Sequence, residues 1–427
     1  MRPHWTLRSP SRTVAFTLQD VMFSLHSCIL ALLVGTATAA SSLTAQETVQ
    51  LPGQDRPLDA DFAEAFRVGV LNGEPWEMFG TVNGVAFDQR GNLYVFDLGG
   101  LLFDNLRVLV FDRSGEFLHR FGSTGDGPGE FGRPSRYVVN RDGTTIVGDM
   151  GRLRYHIFDE SGEFLRMVRP PEGSDWRLFR LAALPDPGGG VVAGDFGTSL
   201  QIRSAGGPQP SSRPIMRLGL EGEGAQVDTL VHAWLPPRGD LNLRSTSGDR
   251  ALPRALEPPL LVAVLPGGGV VYSDSSTYAL RIWSPESGEV VRVLVRPFRP
   301  QPVTPRVMEE YRQGSEARSL LALAAGWAAG TGVDDVPDFS FYPEVSIIRA
   351  LSTTWEGRIW VERRGDRLES DGSIDVVTAD GDYVGTLPAG ATRMPDAFGP
   401  GGLAAFIELN DLDVASVVVR RLPAGVR

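Results

Sequence analysis

The sequence predicts an all-β protein folded as a six-bladed β-propeller. Three observations carry this prediction: the glycine and proline content, an internal repeat, and an N-terminal segment that can complete the last repeat. The 427-residue chain contains 50 glycines and 31 prolines, which suits many short strands joined by tight turns. A chain of this length can bury a large core without disulfide or metal staples.

The repeat is clearest in residues 84–122 and 136–168, which align over most of their length. Each copy holds an apolar strand, a turn glycine, an alternating strand that ends in Asp97 or Asp149, and two more strands joined by a Ser-Gly turn. Four short antiparallel strands in about 40 to 50 residues are the plan of a propeller blade. One such sheet cannot bury both of its faces, so several must pack around a common axis.

Weaker copies bring the number of repeats to six. The turn-and-strand element recurs at 185–195, 265–274, 355–362 and 399–408. The sixth repeat has only three strands of its own, the last at 415–422, and residues 67–71 can supply the fourth. An N-terminal strand in the last blade closes the ring and removes two exposed sheet edges.

Two segments do not follow the blade plan. Residues 236–258 are rich in proline, arginine and polar residues and are predicted to form a long loop. Residues 304–329 are predicted to be a short helical insertion, with Thr304 as N-cap, Pro305 in the first turn and Gly330 as the stop. Insertions at blade junctions lie on a face of the disc, where a lid or partner surface would be.

The N-terminus has the pattern of an export signal. Residues 28–40 (CILALLVGTATAA) form an apolar run that is too short to span a bilayer and ends in small residues. We therefore expect 1–45 to be a signal peptide, with Met22 as an alternative start, 46–65 to be an N-terminal lead-in, and 66–424 to be the propeller. The expected location is secreted or periplasmic, with no membrane span in the mature chain.

Composition excludes several kinds of chemistry. The formal net charge is −11, and all 41 basic residues are arginine because the sequence has no lysine. Lysine Schiff-base and P-loop chemistry are therefore unavailable, and the acidic balance argues against nucleic-acid binding. Cys28 is the only cysteine and is removed with the signal peptide, so neither disulfides nor thiol chemistry are expected.

Part of the repeat resembles a known family. The segments Arg120-Phe121-Gly122, Gly127-Pro128-Gly129-Glu130-Phe131 and Ile157-Phe158-Asp159, with Asp149, are similar to the NHL repeat. This resemblance covers residues 82–168 and implies a propeller, here bacterial and exported. NHL-type propellers mostly bind proteins, nucleic acid or small ligands, and related six-bladed proteins include metal-dependent lactonases and a peptide-amidating lyase. Fold alone does not choose among these functions.

Recurring arginines give the candidate ligand site. Seven or eight residues before the turn glycine, four of the six repeats carry an arginine: Arg136, Arg180, Arg349 and Arg393. These positions place guanidinium groups where the innermost strands begin, at one mouth of the channel. Converging guanidinium groups can bind carboxylate or phosphate. The alternative is that each arginine bridges to carbonyls or carboxylates of a neighbouring blade.

Acidic residues also recur once per blade, at the ends of the second strands. They are Asp97, Asp149, Asp195, Asp274 and Glu362. One interpretation is a ring of metal ligands. A residue needed in every blade more often ties a loop, by accepting hydrogen bonds from backbone N–H groups or from an arginine such as Arg107 or Arg154, and we favour this structural role.

No catalytic, metal or cofactor site is predicted. The innermost strands offer almost no oxygen ligands for a hard cation, which disfavours a calcium lactonase site. The histidines that remain after export, His119, His156 and His232, are expected singly on outer strands, without metal spacing or a paired serine.

The sequence therefore predicts an exported, non-catalytic binding or scaffold propeller. Its disc face or channel mouth would engage a protein segment or an anionic small molecule. The alternative is a hydrolase or lyase on the same scaffold, lactonase-like, with its active site in the central channel. We expect a monomer without bound nucleic acid.

Overall fold

The computed structural model confirms the six-bladed β-propeller of four-stranded antiparallel sheets. It describes residues 46–100, 105–171, 182–194, 203–204, 211–237, 242–243, 250–251, 254–315, 317–318 and 340–427. All of these belong to one unit, Gln46–Arg427. The first strand of each blade lines the channel, and the others follow outward.

Strands β1 to β17, numbered in chain order, include those of blades 1 to 3. Two precede the blades: β1 (Glu47–Gln50) and β2 (Ala63–Val68). Blade 1 consists of β3 (Val82–Phe87), β4 (Leu93–Asp97), β5 (Arg107–Phe111) and β6 (Phe117–Phe121). After the linker strands β7 (Ser123–Thr124) and β8 (Glu130–Phe131), blade 2 consists of β9 (Pro134–Val139), β10 (Thr145–Asp149), β11 (Arg154–Phe158) and β12 (Phe164–Val168). Blade 3 consists of β13 (Ala182–Pro185), β14 (Val191–Gly194), β16 (Ser212–Gly219) and β17 (Gln226–Trp234), with β15 (Arg203–Ser204) inserted.

The remaining strands complete the ring. After β18 (Asn242–Leu243) and β19 (Arg250–Ala251), blade 4 consists of β20 (Leu261–Val264), β21 (Val270–Ser273), β22 (Ala279–Ser284) and β23 (Glu289–Val295). The insertion that follows contains β24 (Gln301–Pro302), the helix α1 (Pro305–Gln313) and β25 (Glu344–Val345). Blade 5 consists of β26 (Ile348–Thr353), β27 (Arg358–Arg363), β28 (Ile374–Thr378) and β29 (Tyr383–Leu387). Blade 6 consists of β30 (Ala397–Gly399), β31 (Leu403–Leu409), β32 (Ala415–Arg421) and β2.

The apolar cores lie between adjacent blades. Strands β4 and β5 are buried along their whole length, whereas the outer strand β6 alternates between exposed and partly buried positions. Val108 of blade 1 packs in one cluster with Val147 and Phe158 of blade 2. Phe87 of blade 1 packs in another cluster with Leu403 of blade 6. Each sheet is therefore covered on both faces by its neighbours, as the repeat requires.

The N-terminal strand closes the ring as predicted. Strand β2 pairs antiparallel with β32, with Val68 opposite Val417. The strand starts at Ala63, earlier than the predicted 67–71, and ends where Gly69 adopts a left-handed conformation (φ 94°). A Cβ atom at Gly69 would lie 2.7 Å from the ring of Phe79. Glycine is therefore required where the chain turns from blade 6 toward blade 1.

The segment before this strand, residues 46–62, is not a simple lead-in, and we call it the N-terminal strap. Strand β1 adds a fifth, parallel strand to blade 4 by pairing with β23. Pro57 then bridges to Thr386 on the outer strand of blade 5. The sequence ETVQ of β1 has no apolar alternation, so its pairing with a strand distant in the chain was not predicted.

A buried arginine anchors the N-terminal strap. The side chain of Arg296 is 0% exposed, and its Nη1 lies 2.8 Å from Oδ2 of Asp375, which is also 0% exposed. Arg296 Nε donates to the Pro52 carbonyl (2.8 Å), and Nη2 donates to Asp55 Oδ1 (3.1 Å). Partial burial opposes ionisation of Asp55, but Arg363, whose Nη2 lies 2.6 Å from Asp55 Oδ2, and Arg296 outweigh it and lower the pKa of Asp55. The N-terminal strap therefore supplies two further acceptors, the Pro52 carbonyl and Asp55, to an arginine that already pairs with Asp375 of blade 5.

The two insertions contact each other. Strands β15, β18 and β19 form a small separate sheet within and near the segment predicted as a loop at 236–258. Ala255 bridges to Phe341, and Leu256 packs in one apolar cluster with Tyr311 of α1 and with Val345. Both insertions follow the last strand of a blade. They therefore leave the propeller at the face where the innermost strands begin, which we call the strand-start face. The opposite face is the strand-end face.

The helix begins as predicted but is shorter. Thr304 caps α1, because its side chain accepts a hydrogen bond from Val307 N. The helical segment is interrupted, because Gly314 is extended (ψ 169°) and ends α1 at Gln313, while Ser315, Ala317 and Arg318 are again helical. Glycine costs about 1 kcal/mol relative to alanine inside a helix, which favours a break there. Residues 316 and 319–339, including Gly330, lie outside the described residues. In the described part of the chain, no helix has the length and hydropathy of a membrane span.

Candidate ligand-binding site in the central channel

The propeller axis contains a cavity of about 440 Å³ that the innermost strands of all six blades line. Most residues that line it are apolar, among them Val85, Val139, Leu184 and Val264, and the hydroxyl side chains Ser352, Thr353 and Thr354 of blade 5 also line it. A cavity of this size and lining is in the range that small-molecule sites occupy. Polar side chains lie mainly toward its two ends.

At the strand-end face, an arginine from one blade covers a tryptophan from the opposite blade. Arg141 follows β9 of blade 2, and its Cζ lies 4.7 Å from the ring centroid of Trp355, which follows β26 of blade 5. Trp355 Nε1 donates to the Phe398 carbonyl (2.6 Å), which fixes the indole orientation. In a ring of six, blades 2 and 5 face each other, so this cation–π pair spans the channel.

The Arg141 guanidinium supplies a positive charge in the channel, and this residue was not predicted from the sequence. Arg141 lines the cavity. Among the described residues, its guanidinium forms no ion pair and donates no hydrogen bond, and it stacks on Trp355. Stacking on an aromatic face leaves the in-plane N–H donors available. The arrangement can therefore bind a carboxylate or phosphate inside the channel.

The arginines predicted from the sequence are placed differently, and none of those described lines the cavity. Arg349 Nη1 lies 2.8 Å from Glu362 Oε1 and 2.7 Å from Asp371 Oδ1. Arg393 Nη2 donates to Asp396 Oδ2 and to the Ile407 carbonyl, each at 2.7 Å.

Arg136 is exposed and donates to the Ser135 carbonyl (2.6 Å). Arg180 lies outside the described residues. The structure thus brings Arg349 and Arg393 to carboxylates of their own blades. Ligand binding by the four arginines stays a prediction.

The recurring strand-end carboxylates tie loops, as favoured from the sequence. Asp97 accepts hydrogen bonds from the backbone of Gly80 and Thr81 (both 3.1 Å). Asp149 accepts equivalent bonds from Gly132 and Arg133 (2.7 and 2.8 Å). Each carboxylate therefore fixes the linker that enters its own blade.

The other strand-end carboxylates show the same role with different partners. Asp274 accepts from Trp234 N (2.7 Å), and Glu362 binds Arg349. Asp195 lies outside the described residues. The expected pairing of Asp149 with Arg154 is wrong: Arg154 donates to the Leu153 carbonyl, and Arg152 Nε lies 3.5 Å from Asp149 instead. Leu153 has a positive φ (52°), and this tight turn separates the two arginines.

A second polar group lies toward the strand-start face and consists of Asn83, Tyr137 and Asp396. The Tyr137 ring packs at a tilt of 31° against Phe96 (centroids 4.6 Å apart), and its hydroxyl is buried without a hydrogen-bond partner among the described residues. Gly84 makes room for it, because a Cβ there would lie 2.7 Å from the hydroxyl oxygen. Burial raises the pKa of Tyr137 well above its ordinary range, and the negative charge of Asp396 adds to the shift.

Two of the three histidines depart from the sequence prediction. His156 is fully buried within the third strand of blade 2 rather than on an outer strand, and His119 lies on the outer strand β6. His232 Nδ1 lies 2.9 Å from Ser212 Oγ, a pairing that the sequence did not predict, on an exposed outer strand away from the channel. Within the described ranges, no three His, Cys, Asp or Glu side chains are grouped to hold a metal.

The fold and the cavity together define a six-bladed β-propeller with an apolar central channel and a polar group near each end. The family profile DUF5128, described as "6-bladed beta-propeller", matches residues 79–166, which correspond to blades 1 and 2. Comparison with curated protein sequences gives no significant match.

Three solved structures with similar architecture have low identity. One is from a Bacteroides fragilis protein named as exported (12% identity, 88% of this chain and 99% of that chain covered, TM-score 0.48). A second is a DUF4221 family member from Bacteroides vulgatus (10%, 84% and 97%, 0.46). A third is virginiamycin B lyase from Staphylococcus aureus (10%, 87% and 88%, 0.36).

Proposed function

We propose that this propeller is a binding module that takes a small anionic ligand with an apolar body into its central channel. The observation that carries the proposal is the Arg141 guanidinium, held on Trp355 inside an apolar cavity. The aliphatic walls exclude water from the ligand body, and the guanidinium supplies the fixed charge that orients it. The proposal therefore moves the anion receptor from the strand-start mouth to the opposite end of the channel.

We expect an anion with an apolar chain to bind more tightly than an apolar molecule without charge or an anion without an apolar chain. Removing apolar surface from water stabilises the complex by about 25 cal/mol per Å². A charge-assisted hydrogen bond adds about 1.5–3 kcal/mol. A guanidinium that is already positioned by an indole loses little side-chain entropy when a carboxylate arrives. A short alkanoate combines both contributions.

Hexanoate is a suitable first probe, because hexanol and hexylamine have the same chain without the negative charge. We expect titration calorimetry to show that hexanoate binds at least tenfold more tightly than either control. Arg141→Gln should remove that preference. Arg113→Gln, an exposed arginine in the outer hairpin turn of blade 1 on the same face, should leave it intact. Equal binding of hexanoate by wild type and Arg141→Gln contradicts the proposal.

The arginines at the strand-start face form a second part of the proposal. We propose that Arg136, Arg180, Arg349 and Arg393 attract the anionic ligand toward the channel. Arg349 and Arg393 are paired with carboxylates, so we expect their contribution to be smaller than that of Arg141. An Arg136→Ala and Arg393→Ala double variant should slow association at low salt more than at high salt.

We propose further that the protein is an exported, NHL-like bacterial propeller that binds without catalysis. The support is the sequence: the apolar run at 28–40 and the repeat at 82–168. Mass spectrometry of the mature protein from a bacterial periplasm or medium should give an N-terminus near Gln46. An intact N-terminus contradicts export by this signal, and turnover of a lactone or ester by the purified protein contradicts the non-catalytic assignment.

A further inference from the structure

The two ends of the channel carry opposite polar character. Arg141 supplies a positive charge at the strand-end face, and Asp396 supplies a carboxylate toward the strand-start face. Between them most lining residues are apolar, and Ser352 and Thr353 also line the wall. Asp396 comes directly before the three-residue strand β30, and Trp355, on which Arg141 stacks, donates to the Phe398 carbonyl of that strand. The two ends are therefore separated by only a few residues of extended chain, or about 10 Å. A ligand that contacts both ends must be extended and must have an apolar middle.

The carboxylate of Asp396 is positioned to accept one more donor. Its Oδ2 accepts hydrogen bonds from Arg393 Nη2 and from the backbone N–H of Ile407, each at 2.7 Å. Its Oδ1 accepts no hydrogen bond from any residue that the structure describes, and about 30% of the side chain is exposed. A carboxylate can accept about four hydrogen bonds. The two existing hydrogen bonds therefore hold the Asp396 carboxylate in place and leave it able to accept further hydrogen bonds.

The Tyr137 hydroxyl is the second observation that indicates a ligand here. It is buried, lacks a hydrogen-bond partner, and belongs to a residue that lines the same cavity. An unsatisfied buried hydroxyl costs about 1–3 kcal/mol, so such a group needs a reason to be retained. A carbonyl oxygen of a ligand would accept its hydrogen once the Tyr137 side chain turns its hydroxyl, which has no exposed surface in the free protein, toward the channel.

We propose that the channel ligand is a short apolar peptide with both termini free, its carboxylate at Arg141 and its ammonium group at Asp396. This proposal rests on the proposed function, since it keeps Arg141 as the anion receptor. Extended peptide also advances by about 3.3 Å per residue, so about three residues fill the distance. A peptide carbonyl in the middle accepts the hydrogen bond from Tyr137, which a plain alkyl chain cannot do.

Binding of the peptide Val-Ala-Val to the wild-type protein tests this directly. We expect calorimetry to show at least tenfold weaker binding when the N-terminus is acetylated, and a similar loss when the C-terminus is amidated. In Asp396→Asn the effect of acetylation should disappear, and in Arg141→Gln the effect of amidation should disappear. Asp126→Asn, an exposed carboxylate outside the channel, is the control and should behave as wild type.

The outcomes separate this inference from the proposed function. If acetylation leaves the affinity of the wild type unchanged while amidation weakens it, the ammonium site at Asp396 is wrong and anion binding by Arg141 stands. If neither capping reaction changes affinity, both proposals fail. The comparison of capped peptides uses the wild-type protein, so it remains decisive even if Asp396→Asn folds poorly.

Discussion

Arg107 and Asp97 form a buried ion pair that joins the second and third strands of blade 1 to the preceding linker. Arg107 Nε and Nη2 lie 3.1 and 3.0 Å from Asp97 Oδ2, and the two side chains are 4% and 0% exposed. Arg107 also donates to the Met78 carbonyl (2.6 Å), while Asp97 accepts from the backbone of Thr81 and Gly99. Almost every donor and acceptor of the pair is therefore used.

Replacing Arg107 tests whether this pair stabilises the fold. Arg107→Met leaves the Asp97 carboxylate buried without its counter-charge, so we expect the free energy of unfolding to fall by about 3–5 kcal/mol. Urea unfolding followed by circular dichroism measures this. The exposed Arg90–Glu160 pair gives the control, and Arg90→Met should leave the midpoint unchanged. An unchanged midpoint for Arg107→Met would show that the pair contributes nothing.

Removing the Tyr137 hydroxyl should stabilise the unliganded protein. Tyr137→Phe deletes a buried group without a hydrogen-bond partner, and we expect the free energy of unfolding to rise by about 1 kcal/mol. Tyr383→Phe is the matched control, since the Tyr383 hydroxyl lies 2.6 Å from Thr386 Oγ1 and accepts from Arg56 N; this variant should lose stability. A loss of stability in Tyr137→Phe would mean that its hydroxyl is satisfied in the free protein.

Acid should destabilise blade 2 through His156. Burial lowers the pKa of this imidazole below its ordinary value of 6.5, and Arg152 adds to the effect while Asp149 opposes it. The unfolded chain then binds a proton that the folded chain does not, so stability is present above pH 6.5 and is lost as the pH falls through the folded pKa. The slope for one proton is at most about 1.4 kcal/mol per pH unit.

The same effect should vanish when the imidazole is removed. Urea unfolding at pH 8 and pH 5 should show a larger loss for wild type than for His156→Gln. Equal losses in the two proteins would assign the acid sensitivity to other groups.

Two truncations separate the N-terminal strap from ring closure. A chain that starts at Ala60 keeps β2 but loses β1 and the contacts of Asp55 with Arg296, so we expect a folded propeller with a lower melting temperature. A chain that starts at Val70 also loses β2 and exposes β32 as an open edge, so we expect it to aggregate. Size-exclusion chromatography and thermal melting distinguish the two. Full stability of the shorter chain would contradict closure by β2.

The blade plan could be predicted from the sequence because its signals are local. The turn glycines, the alternating strands and the carboxylates at Asp97 and Asp149 recur at fixed spacing within each repeat. The same spacing also predicted the structural role of those carboxylates, since each one accepts hydrogen bonds from the linker directly before its own blade.

The candidate site could not be predicted in the same way. Arg141 acquires its role from Trp355, which lies in the opposite blade and far along the chain. No spacing rule connects the two. The repeated arginines gave a regular pattern, but Arg349 and Arg393 find carboxylates nearby in their own blades. A pattern that recurs in every blade reflects a structural requirement common to all blades, whereas a ligand site depends on residues that differ between blades.

A crystal structure of the protein grown with hexanoate tests the central claim most directly. We expect the carboxylate within hydrogen-bond distance, about 3 Å, of the Arg141 guanidinium and the alkyl chain between the innermost strands. Density for hexanoate only on the outer surface, with an empty channel, would contradict the account.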